Sequence, residues 1–365
     1  MKEEMFNYSS QTIIYIVSYI LILVLCFLIS YRQELIFTLE FRKVKHFLNK
    51  LGKMENSLKE LFEKEFARFA PPDRVKQIYE QVSNFFVILP EESDPVGSVR
   101  RLKHILESVR EQIEKEVSLF TAIDNEEDKS TMKQVFIELS RLGRIHKLVK
   151  HLYITGSKSK NLAGLIQALF QLPFLELTAE RCFNILKCYL QEPKKPIGYG
   201  IGPLVAKSLM KNAERIDVRK GGVVAEKTLN GKRVIIVRPK GPGARTEEDV
   251  SEVLLEEVRK CKNPSIILIS AQPKLKGENG VKVVQGVGVA AVYEPLKFEL
   301  ESIASRKKLS LISVLVKLSD KELSSKINDH SNFIIAETLT TVEELVKKLP
   351  EPIIIVGLGN SFMIP

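Results

Sequence analysis

The chain opens on an uncharged run, Met5 to Tyr31, whose inner stretch Thr12 to Tyr31 reads TIIYIVSYILILVLCFLISY. Twenty helical residues rise about 30 Å, the hydrocarbon thickness of a bilayer, so this pattern predicts a single transmembrane helix. A cleaved secretory signal would need a basic start, a shorter apolar core and a small-residue cleavage site. Lys2, Glu3 and Glu4 instead make the start net acidic. After the run come Arg32, Arg42, Lys43, Lys45, Lys50 and Lys53. The positive-inside bias then predicts a cell-membrane protein with its N-terminus outside and its body in the cytoplasm.

Beyond Tyr31 the period changes to three and four residues. Phe37, Phe41, Val44, Leu48, Leu51, Leu58, Phe62, Phe66 and Phe69 mark an amphipathic stalk helix that Pro71-Pro72 ends. Its spacing permits either packing on its own domain or a coiled-coil seam, with Gly52 interrupting the latter. Asp94-Pro95 supplies a helix start for Val99, Leu102, Leu106, Val109, Ile113 and Val117. Further helices are predicted over Ser130 to Tyr153, Leu162 to Leu172 and Thr178 to Gln191, the last two separated by Pro173. The first of these carries Arg141, Arg144, Lys147 and Lys150 on one face, a solvated surface or one turned toward lipid.

Near residue 215 short β-branched runs begin to alternate with helices. Strands are predicted at Val223 to Thr228, Val234 to Val237, Ile266 to Ile269, Val281 to Val292, Leu311 to Val316, Phe333 to Ala336 and Ile353 to Val356. Asn230-Gly231 signals a hairpin between the first two. Helices at Glu247 to Cys261, Pro295 to Lys307, Lys321 to Ile327 and Thr341 to Leu349 fill the gaps. The fold class expected is α/β: an N-terminal transmembrane helix, a helical middle domain and a C-terminal mostly parallel sheet with helices on both faces. Domain limits follow at 1–31, 32–72, 73–213 and 214–365.

The formal charge of +10 favours an anionic partner, but the cluster after Tyr31 accounts for part of it by attraction to anionic lipid headgroups. The bilayer is thus one expected partner, protein partners or a homo-oligomer are others, and nucleic acid is disfavoured because no aromatic stacking platform is evident. Cys26, Cys182, Cys188 and Cys261 have no metal spacing and read as reduced thiols.

Two glycine-rich segments could carry chemistry. In KKPIGYGIGPLVAK, Gly198, Gly200 and Gly202 would let backbone approach an anion, with Lys195 and Lys207 adding charge. The segment follows a helix, so a tight interdomain turn is the plainer reading. In RPKGPGART, Arg238, Lys240, Gly241, Gly243 and Arg245 lie between a strand and a helix, where open α/β sheets bind ligands. Thr246 and Asp249 form a capping-box pair there, and Glu247, Glu248 and Asp249 would repel a phosphate unless the basic residues neutralise them. No hydrolase elbow, zinc-protease motif, EF-hand or P-loop is present, so no cofactor, metal or catalytic residue is specified.

FFVILPEESDPVGSVRRLKHIL (Phe85 to Leu106), KPIGYGIGPLVAK (Lys195 to Lys207), VVAEKTLNGKRVIIVRPKGPG (Val223 to Gly243) and IIIVGLGN (Ile353 to Asn360) together resemble the domain-of-unknown-function 1512 family. The resemblance covers nearly the whole chain and implies an archaeal, membrane-anchored protein with no established activity. The family favours an acidic residue after PIG, where this chain has Tyr199, which weakens a polar catalytic role for that loop. The expected function is a membrane-anchored binding or scaffold protein. The alternative is a tethered enzyme or sensor that takes a nucleotide or phosphorylated ligand at the glycine-rich turns.

Overall fold

The computed structural model describes all residues except 1, 86–94, 121–122, 124, 160–161, 192–194, 276, 279–281 and 328–329. Side chains are also left aside at 2–14, 16, 29–30, 33–34, 95–98, 159, 162–168, 282 and 330. Asp94, Val281 and Lys194, the first lysine of KKPIGYGIGPLVAK, therefore lie outside the described residues.

The apolar N-terminal run and the amphipathic repeat after it form one helix, α1 (Lys2–Phe66). Helices α2 (Pro72–Asn84), α3 (Pro95–Ser118), α4 (Glu126–Ser159) and α5 (Leu162–Leu190) follow. Pro173 sits inside α5 without ending it, and α2 carries its own stripe of buried Val75, Ile78, Tyr79 and Val82. The transmembrane reading is overturned: among the described residues no helix is long and apolar enough to cross a membrane. The single-pass topology with its outside N-terminus and the cell-membrane location fall with it.

The chain divides into two compact units. Residues 1–55 and 145–177 form one, and residues 56–144 and 178–365 form the other. In the first unit Val44, Phe47, Leu51 and Val149 are buried, Phe41 stacks on Tyr153 at 4.9 Å, and Lys50 pairs with Glu176 at 2.7 Å. His146 Nδ1 lies 2.6 Å from a Glu55 carboxylate oxygen.

In the second unit Phe62, the last turns of α1, meets Tyr79 edge-on at 5.3 Å and lies 6.2 Å from Phe136. A 3₁₀ turn, Gly198–Gly200, leads into α6 (Ile201–Leu209). Then come β1 (Arg215–Val218), β2 (Gly222–Leu229), β3 (Lys232–Pro239), α7 (Glu247–Lys260), β4 (Ser265–Pro273), β5 (Lys282–Val287), α8 (Glu294–Lys307), β6 (Leu311–Leu318), α9 (Asp320–Leu323), α10 (His330–Lys348) and β7 (Ile353–Gly357).

The seven strands form one sheet in the order β1-β2-β3-β7-β4-β6-β5. Its centre, β3-β7-β4-β6, is parallel, while β1-β2, β2-β3 and β5-β6 are antiparallel. This mixed sheet, in a chain 64% helical, replaces the mostly parallel sheet expected. The physical reason is local. Asn230 and Gly231, both at positive φ, fold β2 straight back onto β3, and β5 returns beside β6 without a parallel crossover. The expected strand at Phe333 to Ala336 is part of α10, where Ile334, Thr338, Val342 and Val346 are buried at four-residue spacing.

Both faces of the sheet are covered. α6 and α10 pack Val205, Leu209, Val342 and Val346 against Ala225, Ile236, Ile267 and Ile355. α7 and α8 pack Val250, Leu254, Leu296 and Leu300 against Val224, Ile235, Leu268 and Ile354 on the other side. The central strands are therefore buried on both faces, which is why they read as continuous apolar runs.

Candidate functional site

An open α/β sheet offers ligands the crevice beyond the carboxyl ends of its parallel strands. Here that crevice holds protein. After β7 the chain stays in the crevice: Leu358 N donates to Ile269 O at 2.8 Å, Asn360 N to Tyr199 O at 3.0 Å, Ser361 N to Arg245 O at 2.9 Å and Met363 N to Pro242 O at 2.7 Å. Gly359, at φ +133°, makes the turn. Leu358, Ser361 and Ile364 are fully buried, and Phe362 packs edge-on against Tyr189 at 4.6 Å. The Ser361 hydroxyl lies 2.8 Å from Gly243 O and 3.0 Å from Lys240 O, and it accepts from Arg245 N at 3.2 Å. Asn360 Nδ2 donates to the Tyr189 hydroxyl at 2.9 Å, while its Oδ1 accepts from Phe362 N at 2.8 Å.

The structure brings both glycine-rich segments to this crevice, and the chain itself occupies the space their missing side chains leave. A Cβ at Gly200 would meet Asn360 O; one at Gly202 would meet Leu358 O and Ile269 O. At Gly241 the neighbour is Ile364 O, at Gly243 it is Glu127 O and the Ser130 side chain, and at Gly198 it is the backbone of Glu322. These five glycines let main chain approach main chain.

The predicted cations divide. Lys195 is exposed and Lys240 half-buried. Arg245 pairs with Asp249 at 3.4 Å and lies 3.8 Å from Glu126. Arg238 is buried and donates from Nη1 to Pro239 O at 3.1 Å and from Nη2 to Pro365 O at 3.0 Å, leaving its Nε without a partner. Burial alone pushes the Arg238 pKa down. Lys207 is also pushed down, by burial and then by the charges of Arg238 and Lys211. Lys207 of the first segment thus feels Arg238 of the second. Among the described residues neither has a carboxylate ion pair, and Arg238 serves to fasten residue 365 to β3.

The acidic start of α7 is a structural cap. Thr246 N donates to Asp249 Oδ2 at 3.2 Å within a complete capping box. Arg110 of α3 reaches Asp249 at 3.1 Å and Glu248 at 3.8 Å. Glu247 is buried, accepts from Val292 N at 2.5 Å and Tyr293 N at 2.9 Å, and burial raises its pKa despite those bonds.

Three features escaped the sequence reading. Glu138 and Arg141 on α4 pair at 2.9 Å beside the buried Cys182 of α5. Burial, then Glu138, raises that thiol well above its usual range, so it stays protonated. The second feature is an open cleft of about 420 Å³ under the carboxyl end of α7, against β1, β2 and β3. The third is β1 itself. It lies at the sheet's end with β2 on one side only, and Ile216 and Val218 are 57% and 59% exposed. Arg219 N donates to Gly222 O at 2.8 Å, and the register runs Arg215↔Glu226 to Val218↔Val223. Antiparallel alternation then leaves the N–H and C=O groups of Ile216 and Val218 on the open side. The alternation over RIDVR is only five residues long and three-fifths charged, too weak a strand signal to read in advance.

Compared with known proteins, residues 18–190 match the family model described as "Protein of unknown function (DUF1512) N-terminal domain". Residues 197–365 match "Domain of unknown function (DUF1512) C-terminal". No curated protein matches the chain.

Proposed function

The chain belongs to the DUF1512 family, and from that premise we propose that it is a binding and scaffold protein that assembles with a second copy of itself through the open edge of its sheet. An archaeal source, implied by the sequence resemblance, belongs to the same proposal. One observation carries the reading: β1 is complementary to itself. Antiparallel pairing about a two-fold axis at Ile216 sets Arg215 opposite Asp217 of the second copy and Asp217 opposite its Arg215. Ile216 lies against its own counterpart, and its outward N–H and C=O groups bond across the axis. Arg215 has no carboxylate ion pair among the described residues, so pairing supplies its counterion. Asp217 already accepts from Arg219 Nε at 2.8 Å and has lone pairs left for a second donor. An unpaired strand edge is a ready template for such pairing, and two-fold dimers are the commonest soluble assemblies.

The test is the mass of the full chain in solution, by light scattering after gel filtration. Wild type is expected as a dimer. Arg215→Asp and Asp217→Arg should each shift it to monomer, since like charges then face each other across the axis. The double variant should restore the dimer. A monomeric wild type, or a double variant no more associated than the singles, would overturn the reading.

A further inference from the structure

The 420 Å³ cleft beneath α7 falls within the size range of small-molecule sites. Its floor is apolar, with Val224 on β2, Ile235 on β3 and Pro352 just before β7. Around that floor stand five cationic side chains and three carboxylates, and a fourth carboxylate, Glu256, lies 3.2 Å from Arg219 and 3.9 Å from Lys260. The carboxylates are all engaged. Asp217 accepts from Arg219 Nε at 2.8 Å, Glu226 from Arg233 Nη2 at 3.1 Å, and Glu257 from Lys260 at 2.8 Å and Arg219 Nη1 at 2.8 Å. Burial pushes Glu257 up, but Lys260 and Arg219 outweigh it and hold the carboxyl below its usual range. Arg215 and Lys262 remain, and among the described residues neither has a carboxylate ion pair. The carboxyl end of α7 brings partial negative charge to the cleft, which Arg259 and Lys260 in its last turn offset.

We infer that this cleft binds a small organic phosphate. The two cations without a carboxylate partner, Arg215 and Lys262, match a phosphate monoester dianion. A guanidinium such as that of Arg215 grips phosphate oxygens in a fork, an ammonium such as that of Lys262 adds a compact charge, and the apolar floor takes the organic group. The site lies toward the amino ends of β3 and β7, away from both glycine-rich segments. Arg215 also takes part in the proposed β1 pairing, whereas Lys262 lies outside it, so Lys262 reports on this site independently of dimer formation.

Titration calorimetry of the full chain tests it, with phenyl phosphate, inorganic phosphate, and sodium chloride at matched ionic strength as probes. Phenyl phosphate should bind saturably, at least tenfold more tightly than inorganic phosphate. Equal affinity for the two would overturn the organic ligand in favour of free phosphate. Lys262→Ala and Arg215→Ala should each weaken binding at least fivefold, while Lys195→Ala leaves it unchanged. Lys262 and Arg215 are exposed, so their replacement leaves the core intact. Heat no different from the chloride control, or equal affinity in wild type and both variants, would overturn the site. Lys262 takes no part in the β1 pairing, so weakened binding in Lys262→Ala with the dimer retained separates this site from the assembly.

Discussion

The carboxyl ends of the central strands and the β1 edge are two ends of one sheet with opposite fates. At the carboxyl ends, residues 358–365 fill the crevice where open α/β folds hold ligands, and glycines admit backbone to backbone contact. At the β1 edge, main-chain groups and two aliphatic side chains face outward, with a charged cleft alongside. A glycine-rich turn beyond a strand is thus no sign of a ligand until the neighbour at its Cβ position is known. The open, charged end is where the proposed assembly and ligand site lie.

Changes at the closed end should be the most damaging. Gly202→Val places a side chain against two carbonyl oxygens of the packed centre, so a loss of about 3 kcal/mol or more is expected in denaturant unfolding. A near-neutral result would mean that the crevice can open. Ser361→Ala removes a buried hydroxyl that ties the 239–246 loop to the final segment, and should cost about 1–3 kcal/mol by the same measurement. Thr246→Ala should cost about 1 kcal/mol, the ordinary value of a helix cap, if the start of α7 is structural.

Toward the open end the effects should shrink and become pH-dependent. Glu257 is held below its usual pKa, so its contribution is present above the unfolded value and lost as pH falls through the folded one. The stability difference between wild type and Glu257→Gln should therefore be at most about 1 kcal/mol near neutral pH and vanish once the pH has fallen below the lowered folded value. Glu247 has the opposite sign: burial raises its pKa, so its ionisation opposes folding as pH rises through the folded value. Ile216→Lys should change the thermal midpoint least, by an amount equivalent to no more than about 0.5 kcal/mol, because the side chain already faces solvent. The same substitution should weaken the dimer, so that stability and assembly respond in opposite order at the two ends.

Much of this was legible from periodicity, because burial of one helix face or of both strand faces leaves a local imprint. The stripes of α3, α4 and α7 and the apolar runs of β3, β4, β6 and β7 are of this kind, as is the Thr246 capping box. The uncharged run before Tyr31 shows the limit: its composition spoke of a membrane span, whereas it belongs to a helix continuous to Phe66 that offers no span among the described residues. Pro173 likewise read as a break and sits within α5.

What the amino-acid order determined by itself was where helices and strands recur and which residue caps α7, since those depend on neighbours within a few positions. Only the tertiary structure decided that β1 is an edge, that the sheet is mixed, and that Gly200, Gly202 and Gly241 face the protein's own backbone. Glycine lets a backbone approach a ligand or another stretch of chain equally well. Which of the two arrives is decided by residues more than a hundred positions away, through contacts that leave no period in the sequence.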